Sequence, residues 1–268
     1  MAAAKPSVPL ITLTTDFGLA DHYVGVMKGV ILSLAPRVRL VDLSHEVSAY
    51  AVSEAAFLVA QAYRYFPRRT VHVVVVDPGV GSQRRPLLME AAGQYFIGPD
   101  NGVFAQIFSR EPKRTVRVLQ NEKYRLPAVS QTFHGRDIFA PAAAHLARGV
   151  TPARFGPKID DYLRPLSEKP VRTARRGWTG SILKVDRFGN LVTNFVLEEF
   201  PQIAAGRFEL QVGLQLVRRF STCYADNPFG EPFVIEGSSG YLEVSVNQGS
   251  AAKQLGCAAG APLELRVF

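Results

Sequence analysis

Three segments of the sequence carry polar side chains of the kinds that take part in catalysis. Asp16 follows a short apolar run, Asp77 follows a run of β-branched residues, and His134 precedes an apolar helical pattern. Ligands of open α/β sheets bind beyond the carboxyl ends of strands, where the two aspartates would lie. An aspartate after a strand is also a common turn former, and a histidine beside glycine is often a plain loop residue. The chemical interpretation therefore depends on all three occurring in one predicted sheet.

Several common catalytic and ligand-binding patterns are absent from the sequence. There is no His-Glu-x-x-His, no cysteine cluster and no Gly-x-Ser-x-Gly, so neither a zinc site nor a serine-hydrolase elbow is expected. The segment Asp77–Ser82 contains two glycines but has neither the Walker lysine nor the Rossmann spacing. Cys223 and Cys257 form no metal-ligand or disulfide pattern and are predicted to be reduced. We therefore predict that the protein binds no metal ion.

The elements that would position these residues alternate between strands and helices over the first 160 residues. Three runs are strand-like: Leu10–Thr14, Val38–Leu43 and Val71–Val76. Between them, apolar residues recur at helical spacing: Val24, Met27, Ile31 and Leu34, then Val52, Ala55, Ala56, Val59 and Tyr63. Further helices are predicted after Gly102 and through His145 to Gly149. This alternation predicts a mostly parallel sheet covered on both faces, with the β-branched run buried on both sides.

The pattern changes in the second half of the chain. Residues 160–176 are rich in proline, lysine and arginine, so we place an α/β domain at 1–165, a linker at about 166–176 and a second domain at 177–268. The second domain consists of short strand-like runs with almost no helical spacing: Gly180–Val185, Leu191–Phe195, Phe208–Val212, Gln215–Phe220, Phe233–Ile235, Tyr241–Val246 and Leu263–Val267. The pattern predicts a smaller all-β domain, an antiparallel barrel or sandwich.

Composition narrows the possible partners. The 268 residues are 47% hydrophobic, with 31 basic and 23 acidic residues and a net charge of +8. Such a charge is compatible with nucleic-acid binding, but the arginines occur as scattered pairs without a recognised motif, so we predict no nucleic-acid partner. No apolar run reaches the ~20 residues that span a bilayer, and Met1–Pro6 contains no apolar signal core. We therefore predict a cytoplasmic protein that does not enter a membrane.

Six motifs carry a resemblance to a known family. They are Thr14–Gly18 with Asp21–Gly25, Val76–Ser82 with Arg84-Arg85, Gly98–Gly102, Thr132–Asp137, Asp186–Asn194 and Gly240–Asn247. Together they resemble the S-adenosyl-L-methionine hydrolases, or hydroxide adenosyltransferases, which are relatives of the fluorinase and chlorinase enzymes. The resemblance covers nearly the whole chain, in order and in both domains.

The resemblance implies a reaction in which water or hydroxide attacks the ribose C5′ and releases adenosine and L-methionine. S-adenosyl-L-methionine is then the substrate, and no separate cofactor is expected. The resemblance also implies a homotrimer, with each active site between the first domain of one subunit and the second domain of its neighbour.

The family's catalytic residues correspond to Asp77, Arg84 and His134. Asp77 and His134 would hold the water, and one of them would deprotonate it. Arg84 would orient Asp77 and depress nearby pKa values, which makes a bound hydroxide less costly. The sequence leaves open which group takes the proton.

The resemblance also implies a set of substrate-binding residues. Asp16 would accept hydrogen bonds from the two ribose hydroxyls, and Asp186 would pair with the methionine ammonium. The others would contact the methionine, the adenine edge or the face of the ligand: Asn190, Ser238, the backbone near Val246 and Gln248, Tyr50 and Phe188. For Tyr50 and Phe188 the alternative is a place in the hydrophobic core.

Other functions compete with hydrolysis. The halide-using relatives carry tyrosine at the positions of Asp77 and His134, and a small Thr or Gly at the position of Val80, so this sequence favours water over halide as the nucleophile. A module that binds the nucleoside or S-adenosyl-L-methionine without turnover is a second alternative, and a basic nucleic-acid binder is a third.

Overall fold

The structure is a computed structural model that describes residues 8–165 and 169–268. The chain forms two compact units, one on each side of residues 166–168. The predicted linker, 166–176, begins in those three residues, which lie outside the described part, and contains a described strand, Val171–Ala174. Over the described ranges, no helix has both the length and the apolar character needed to cross a membrane.

The first unit is built on a sheet of six described strands. They are β1 (Leu10–Thr15), β2 (Arg39–Ser44), β3 (Val71–Val75), β4 (Pro86–Ala91), β5 (Gln94–Pro99) and β6 (Arg114–Val118). Their order across the sheet is β2-β1-β3-β5-β4-β6. The neighbours β2, β1, β3 and β5 run parallel, and β4 is antiparallel to both β5 and β6. The predicted α/β class with a mostly parallel sheet is confirmed.

Helices cover both faces of this sheet. They are α1 (Tyr23–Leu34), α2 (Val52–Ala62), α3 (Ala105–Arg110) and α4 (Ala140–Ala147). Helices α1 and α4 bury their apolar residues in one core cluster, and α2 and α3 bury theirs in a second cluster. In β3, Val73 and Val75 belong to the first cluster, whereas Val74 belongs to the second. Because side chains alternate along a strand, consecutive β-branched residues such as those of β3 suit a strand buried on both faces.

The second unit is almost entirely β-structure. Its described strands are β7 (Val171–Ala174), β8 (Gly177–Val185), β9 (Leu191–Val196), β10 (Phe208–Val212), β11 (Gln215–Val217), β12 (Phe220–Ser221), β13 (Pro232–Glu236), β14 (Tyr241–Val246) and β15 (Pro262–Val267). They form one curled, half-barrel sheet in the order β11-β10-β15-β8-β9-β14-β13-β12, with β7 paired to β8. The inward residues form a separate core, so the prediction of a smaller all-β domain is confirmed.

Two details of the second unit differ from the sequence expectation. The predicted strand Gln215–Phe220 is divided into β11 and β12. A short helix, α5 (Ala251–Leu255), lies where only strands and turns are predicted. The Ser250 hydroxyl caps it by accepting a hydrogen bond from the Lys253 amide, and Gly256 ends it in the left-handed conformation.

Candidate active site

Asp16 and Asp77 leave the sheet side by side. Strands β1 and β3 are parallel neighbours, and Thr15 lies opposite Val75 at their carboxyl ends. The residues that follow these strands therefore begin at the same edge of the sheet, as parallel strands require. Both aspartates line a cleft of about 300 Å³ at this edge.

The wall of this cleft is mostly aromatic and apolar. Besides the two aspartates, its described lining comprises Phe17, Tyr23, Ala49, Tyr50, Val75, Val80, Thr132, Phe133 and Gly135. A larger hollow of about 790 Å³ lies near the start of β1 and the end of α1, but its described lining contains no Asp, Glu or His. The smaller cleft therefore combines an apolar wall with convergent carboxylates, which is the usual makeup of a small-molecule site.

Asp77, Arg84 and His134 form one hydrogen-bonded group. The Arg84 guanidinium donates from Nε to Asp77 Oδ1 at 3.0 Å and from Nη2 to Asp77 Oδ2. The same Nη2 lies 2.7 Å from His134 Nδ1. The side chains of Asp77 and Arg84 are only 5% and 8% exposed, so this two-pronged ion pair lies in a low-dielectric environment, where charge-assisted hydrogen bonds are strong.

Asp77 is the member of this group that faces the cleft. Arg84 and His134 are not among the described residues that line the cleft, although Phe133 and Gly135, on either side of His134, are. Arg84 also has a buried Nη1 atom with no hydrogen-bond partner among the described residues. The Asp77 carboxylate therefore lies at the cleft surface. The Arg84 guanidinium contacts this carboxylate, and the His134 imidazole contacts the guanidinium.

The surroundings of His134 hold its ring in the neutral form. Burial lowers the pKa of His134 below its ordinary value of 6.5, and the positive charge of Arg84 lowers it further. Asp77 and Asp137 oppose this effect through their negative charges. Because the guanidinium only donates hydrogen bonds, Nδ1 is the acceptor and the proton of the neutral ring is on Nε2.

A turn and a close backbone contact bring the two loops of the group together. After β3, the Val80 amide donates to the Asp77 carbonyl at 3.2 Å, which turns the chain. Gly81 then adopts φ +78°, and a Cβ atom at this position would collide with the carbonyl oxygen of Gln131. Only glycine permits both the conformation and the contact. This contact holds the loop after Asp77 against the loop that leads to His134.

Asp16 supports the rim of the cleft. Its Oδ2 accepts a hydrogen bond from the Tyr50 amide at 2.9 Å. Tyr50 has φ +66°, a left-handed conformation that is uncommon outside glycine, and its side chain is 73% exposed. Tyr50 is therefore not a core residue. A strained aromatic residue presented at a cleft is a reason to suspect a ligand contact.

In the second unit, Asp186 organises the loop between β8 and β9. Its Oδ1 accepts from the amides of Phe188 and Asn190 at 2.9 and 2.8 Å, and its Oδ2 accepts from the Asn190 side chain at 2.8 Å. Gly189 adopts φ +88° and lies against Ser250, where a Cβ would collide. Phe188, at the tip, is 78% exposed and so is not a core residue either. Asp186 thus has a turn-forming role beside any binding role.

The other predicted binding residues of the second unit lie around β14. The Val246 side chain is buried in the core, which leaves only its backbone for a ligand. Gln248 follows in a left-handed conformation, φ +53°, and the nearby Ala252 amide donates to the Gly189 carbonyl at 2.9 Å. The structure therefore brings the Asp186–Asn190 loop and the segment after Val246 together. Ser238 is exposed on the turn that precedes β14.

The aromatic wall of the cleft was not predicted from the sequence. Phe17 and Phe133 meet edge to face with centroids 5.9 Å apart, and Tyr23 packs edge to face on Phe133 at 5.2 Å. All three lie within the motifs that carry the family resemblance. Phe17 follows Asp16 and Phe133 precedes His134 in the sequence. This adjacency to the predicted site residues is the signal from which the wall could have been predicted. Over the described ranges, no three His, Cys, Asp or Glu side chains lie together in a way that could hold a metal ion.

Comparison with family models gives matches in both units. The model of the SAM hydroxide adenosyltransferase N-terminal domain matches residues 11–156. The model of the C-terminal domain of the same family matches residues 180–264. The two matches together cover more than half of the chain and follow its two units.

Individual proteins agree with these matches. A Thermus thermophilus protein named (R)-S-adenosyl-L-methionine hydrolase is 38% identical over 259 residues, which cover 94% of this chain and 97% of the relative. A fluorinase from Actinoplanes is more distant, at 26% identity over 94% of this chain and 95% of its own. A crystal structure of an uncharacterized conserved protein from Thermotoga maritima has a TM-score of 0.88 at 35% identity, covering 96% of this chain and 99% of that one.

Proposed function

This chain belongs to the S-adenosyl-L-methionine hydroxide adenosyltransferase family, and we propose that it hydrolyses S-adenosyl-L-methionine to adenosine and L-methionine. The observation that carries the proposal is the buried Asp77–Arg84 pair, which presents a carboxylate to the cleft and is backed by His134. The relative's name specifies the (R) epimer at sulfur, and we propose the same epimer for this enzyme.

Asp77 is the group that contacts the nucleophilic water. A carboxylate has about four lone-pair sites, and Arg84 occupies one on each oxygen, so an acceptor site remains for the water. His134 Nδ1 is engaged by Arg84 and its Nε2 carries the proton, so the neutral ring lacks a free acceptor for the proton of the water. These contacts favour Asp77 over His134 as the proton acceptor. Arg84 then orients Asp77, and His134 holds Arg84.

Besides a positioned water and a proton acceptor, the reaction requires no further catalytic group. The water oxygen forms a bond to C5′ as the C5′–S bond breaks, and the bonding electron pair goes to sulfur. The sulfonium departs as the neutral thioether of methionine, so no general acid is needed, and the proton of the water goes to Asp77. Holding the water in line behind C5′ is worth several kcal/mol, on the order of the effects measured for oriented reactants. A general base adds ~10²–10⁴-fold.

The proposed substrate contacts divide between the two units. Asp16 would accept hydrogen bonds from the ribose diol, with Tyr50 and the aromatic wall against the ligand. Asp186 would pair with the methionine ammonium. Phe188, Asn190, Ser238 and the backbone near Val246 and Gln248 would supply the remaining contacts. The Asp186 carboxylate has about four lone-pair sites, and three of them already accept hydrogen bonds within its own loop. One site therefore remains for the methionine ammonium.

Halide transfer is the competing reaction of related enzymes. The negative carboxylate of Asp77 lines the cleft and would repel a halide ion, and the Val80 side chain beside it offers no hydrogen-bond donor. Both features favour water as the nucleophile. A binding module without turnover would not require a buried ion pair that presents a carboxylate to a water site.

We also propose a homotrimer in which the first unit of one subunit and the second unit of its neighbour hold one substrate molecule. The supporting feature is that each unit carries its own share of the proposed ligand contacts. Sedimentation is expected to give a mass of three chains, and a mass of 29.4 kDa, that of one chain, would contradict the trimer. A cytoplasmic location, independence of metal ions and the absence of a nucleic-acid partner stay predictions.

The function is tested by incubation in ¹⁸O-labelled water with and without chloride. The (R) and (S) epimers of S-adenosyl-L-methionine are supplied separately, and the nucleoside is analysed by mass. Adenosine with ¹⁸O at the 5′ position, formed from the (R) epimer, is the expected product. A chlorinated nucleoside would establish halide transfer instead. Retained substrate without any product would establish a binding module.

The state of His134 predicts an acid limit to activity. Protonation would remove the acceptor at Nδ1 and place a second positive charge beside Arg84. Because burial and Arg84 lower the pKa of His134, the ring protonates at a lower pH than an ordinary histidine. We expect kcat/KM to fall on acidification with a midpoint below pH 6.5. The pH profile of kcat/KM checks this.

The matched control for this profile is His145, whose pKa is also lowered, chiefly by burial, but which packs on Tyr124 outside the described lining of the cleft. His145→Gln should leave the acid limb in place, whereas His134→Asn should remove it. A midpoint at or above pH 6.5 would contradict the assignment.

A further inference from the structure

The position of His134 depends on a long irregular segment. Residues 125–133, between a short 3-10 helix at Glu122–Tyr124 and His134, contain no regular secondary structure. His134 itself stands at the start of a π-helical turn, Gly135–Phe139, that leads into α4. Short π-helical turns are rare and occur often at functional sites. Specific contacts must therefore hold the segment in place.

Asp137 supplies several of these contacts. It is fully buried, and its Oδ2 accepts from the Ser130 amide at 2.8 Å. Its backbone carbonyl accepts from the Leu126 amide at 2.9 Å. One residue of the helical turn therefore holds the irregular segment at two points.

Arg136 holds Asp137 in turn. Its Nε and Nη2 donate to the two oxygens of Asp137 at 2.6 and 3.0 Å, and its guanidinium lies over the ring of Phe133, 5.2 Å from the centroid. Phe133 lines the cleft. The pair thus connects the cleft wall, the segment before His134 and the helix after it.

From these contacts we propose that Asp137, held by Arg136, is a positioning residue that places the His134 ring against Arg84. The inference rests on the proposed function, because it assigns a role at the same site. Asp137 is not among the described residues that line the cleft, so it acts through His134. A displacement of about 1 Å in a catalytic constellation can reduce turnover about a hundredfold.

The negative charge of Asp137 also acts on the pKa of His134. Four charged groups act on the His134 ring: Arg84 and Arg125 lower its pKa, and Asp77 and Asp137 raise it. Loss of the Asp137 charge should therefore lower the pKa of His134 further. Displacement of the ring from Arg84 would act on the pKa in the opposite direction, so the tautomer of the ring, which depends on its contact with Arg84, is the readout specific to positioning.

The test is Asp137→Asn, with Glu111→Gln as the matched control. Glu111 is also a hydrogen-bonded carboxylate of the first unit, and its partners are Tyr63 and Arg64, outside the described lining of the cleft. We expect Asp137→Asn to lower kcat about 10–100-fold with KM changed less than about threefold. Glu111→Gln should change neither.

Nuclear magnetic resonance of the histidine ring provides a readout that does not need turnover. The chain has five histidines, and the His134 signal is the one lost in His134→Asn. In the wild type the ring should be the Nε2–H tautomer, and in Asp137→Asn it should become a mixture of tautomers. If Asp137→Asn does not fold, Arg136→Gln, whose side chain is 36% exposed, decides by the same change of tautomer.

An unchanged tautomer of His134 in the variant that folds would overturn the positioning role, whatever happens to kcat. A loss of kcat that merely parallels a lower melting temperature would overturn it as well. If the histidine signals shift as expected but wild-type enzyme releases no adenosine, the proposed function fails and the positioning of His134 by Asp137 stands.

Discussion

Asp77→Asn is expected to lower kcat by about 10²–10⁴-fold, the usual contribution of a general base, while S-adenosyl-L-methionine still binds. The asparagine has nearly the same shape as the aspartate, so the turn after β3 and the cleft should persist, although the unpaired charge of buried Arg84 lowers the free energy of unfolding. It lacks the negative charge that would accept the proton of the water. Single-turnover assays give the rate of the chemical step, and calorimetric titration of the slow variant gives the affinity.

Asp16→Ala is the matched comparison for this prediction. Asp16 lines the same cleft, but it is assigned to the ribose hydroxyls, so its loss should weaken binding by about 1–3 kcal/mol and change the chemical step less. Comparison of the two variants thus separates the loss of substrate-binding free energy from the loss of transition-state stabilisation. If Asp77→Asn retains wild-type kcat, or if it loses affinity instead of rate, Asp77 is not the base.

The regular parts of the fold could be predicted because their patterns are local. Helices α1 and α2 show apolar residues at helical spacing, and β1 and β3 are short apolar runs followed by aspartates. The hairpin of β4 and β5 escaped prediction. Its turn is Ala92-Gly93, with φ +52° and +72°, a left-handed pair in which alanine replaces the usual asparagine or aspartate. The residues of this turn therefore did not indicate a hairpin in the sequence.

The small helix α5 was missed for a different reason. Five residues are too few for helical periodicity to appear, although its caps, Ser250 and Gly256, are typical helix-end residues. The division between β11 and β12 at Arg218-Arg219 also has no periodic signal. Both errors concern elements whose position depends on caps and tertiary packing more than on repeated pattern.

The sequence indicated several residues of the candidate site but not their geometry. The sequence places Asp16 and Asp77 at strand ends, and parallel pairing then brings them to one edge. The contact of Arg84 with His134 joins residues 50 positions apart through an irregular loop, so no local rule predicts it. The same contact determines which ring nitrogen is protonated and therefore favours Asp77 as the base, a choice that the sequence left open.

Arg84→Gln is expected to abolish most of the activity and to destabilise the first unit. Both partners of the ion pair are more than nine-tenths buried, and removal of one partner of a buried pair leaves an uncompensated charge that costs about 3–5 kcal/mol. Turnover should fall about as far as in Asp77→Asn, because residues that act as a unit lose their effect together. Urea unfolding gives the free energy of unfolding, and steady-state assays give kcat.

The double variant Asp77→Asn/Arg84→Gln distinguishes this mechanism from general loss of structure. Neutral amides can replace the ion pair without a buried charge, so the double variant should recover most of the stability that Arg84→Gln loses. It should recover none of the turnover, because no base remains at position 77. Recovery of activity together with stability would mean that the pair only supports the fold. Stability lost additively in the double variant would mean that Asp77 and Arg84 do not depend on each other, and the coupled group proposed here would have to be abandoned.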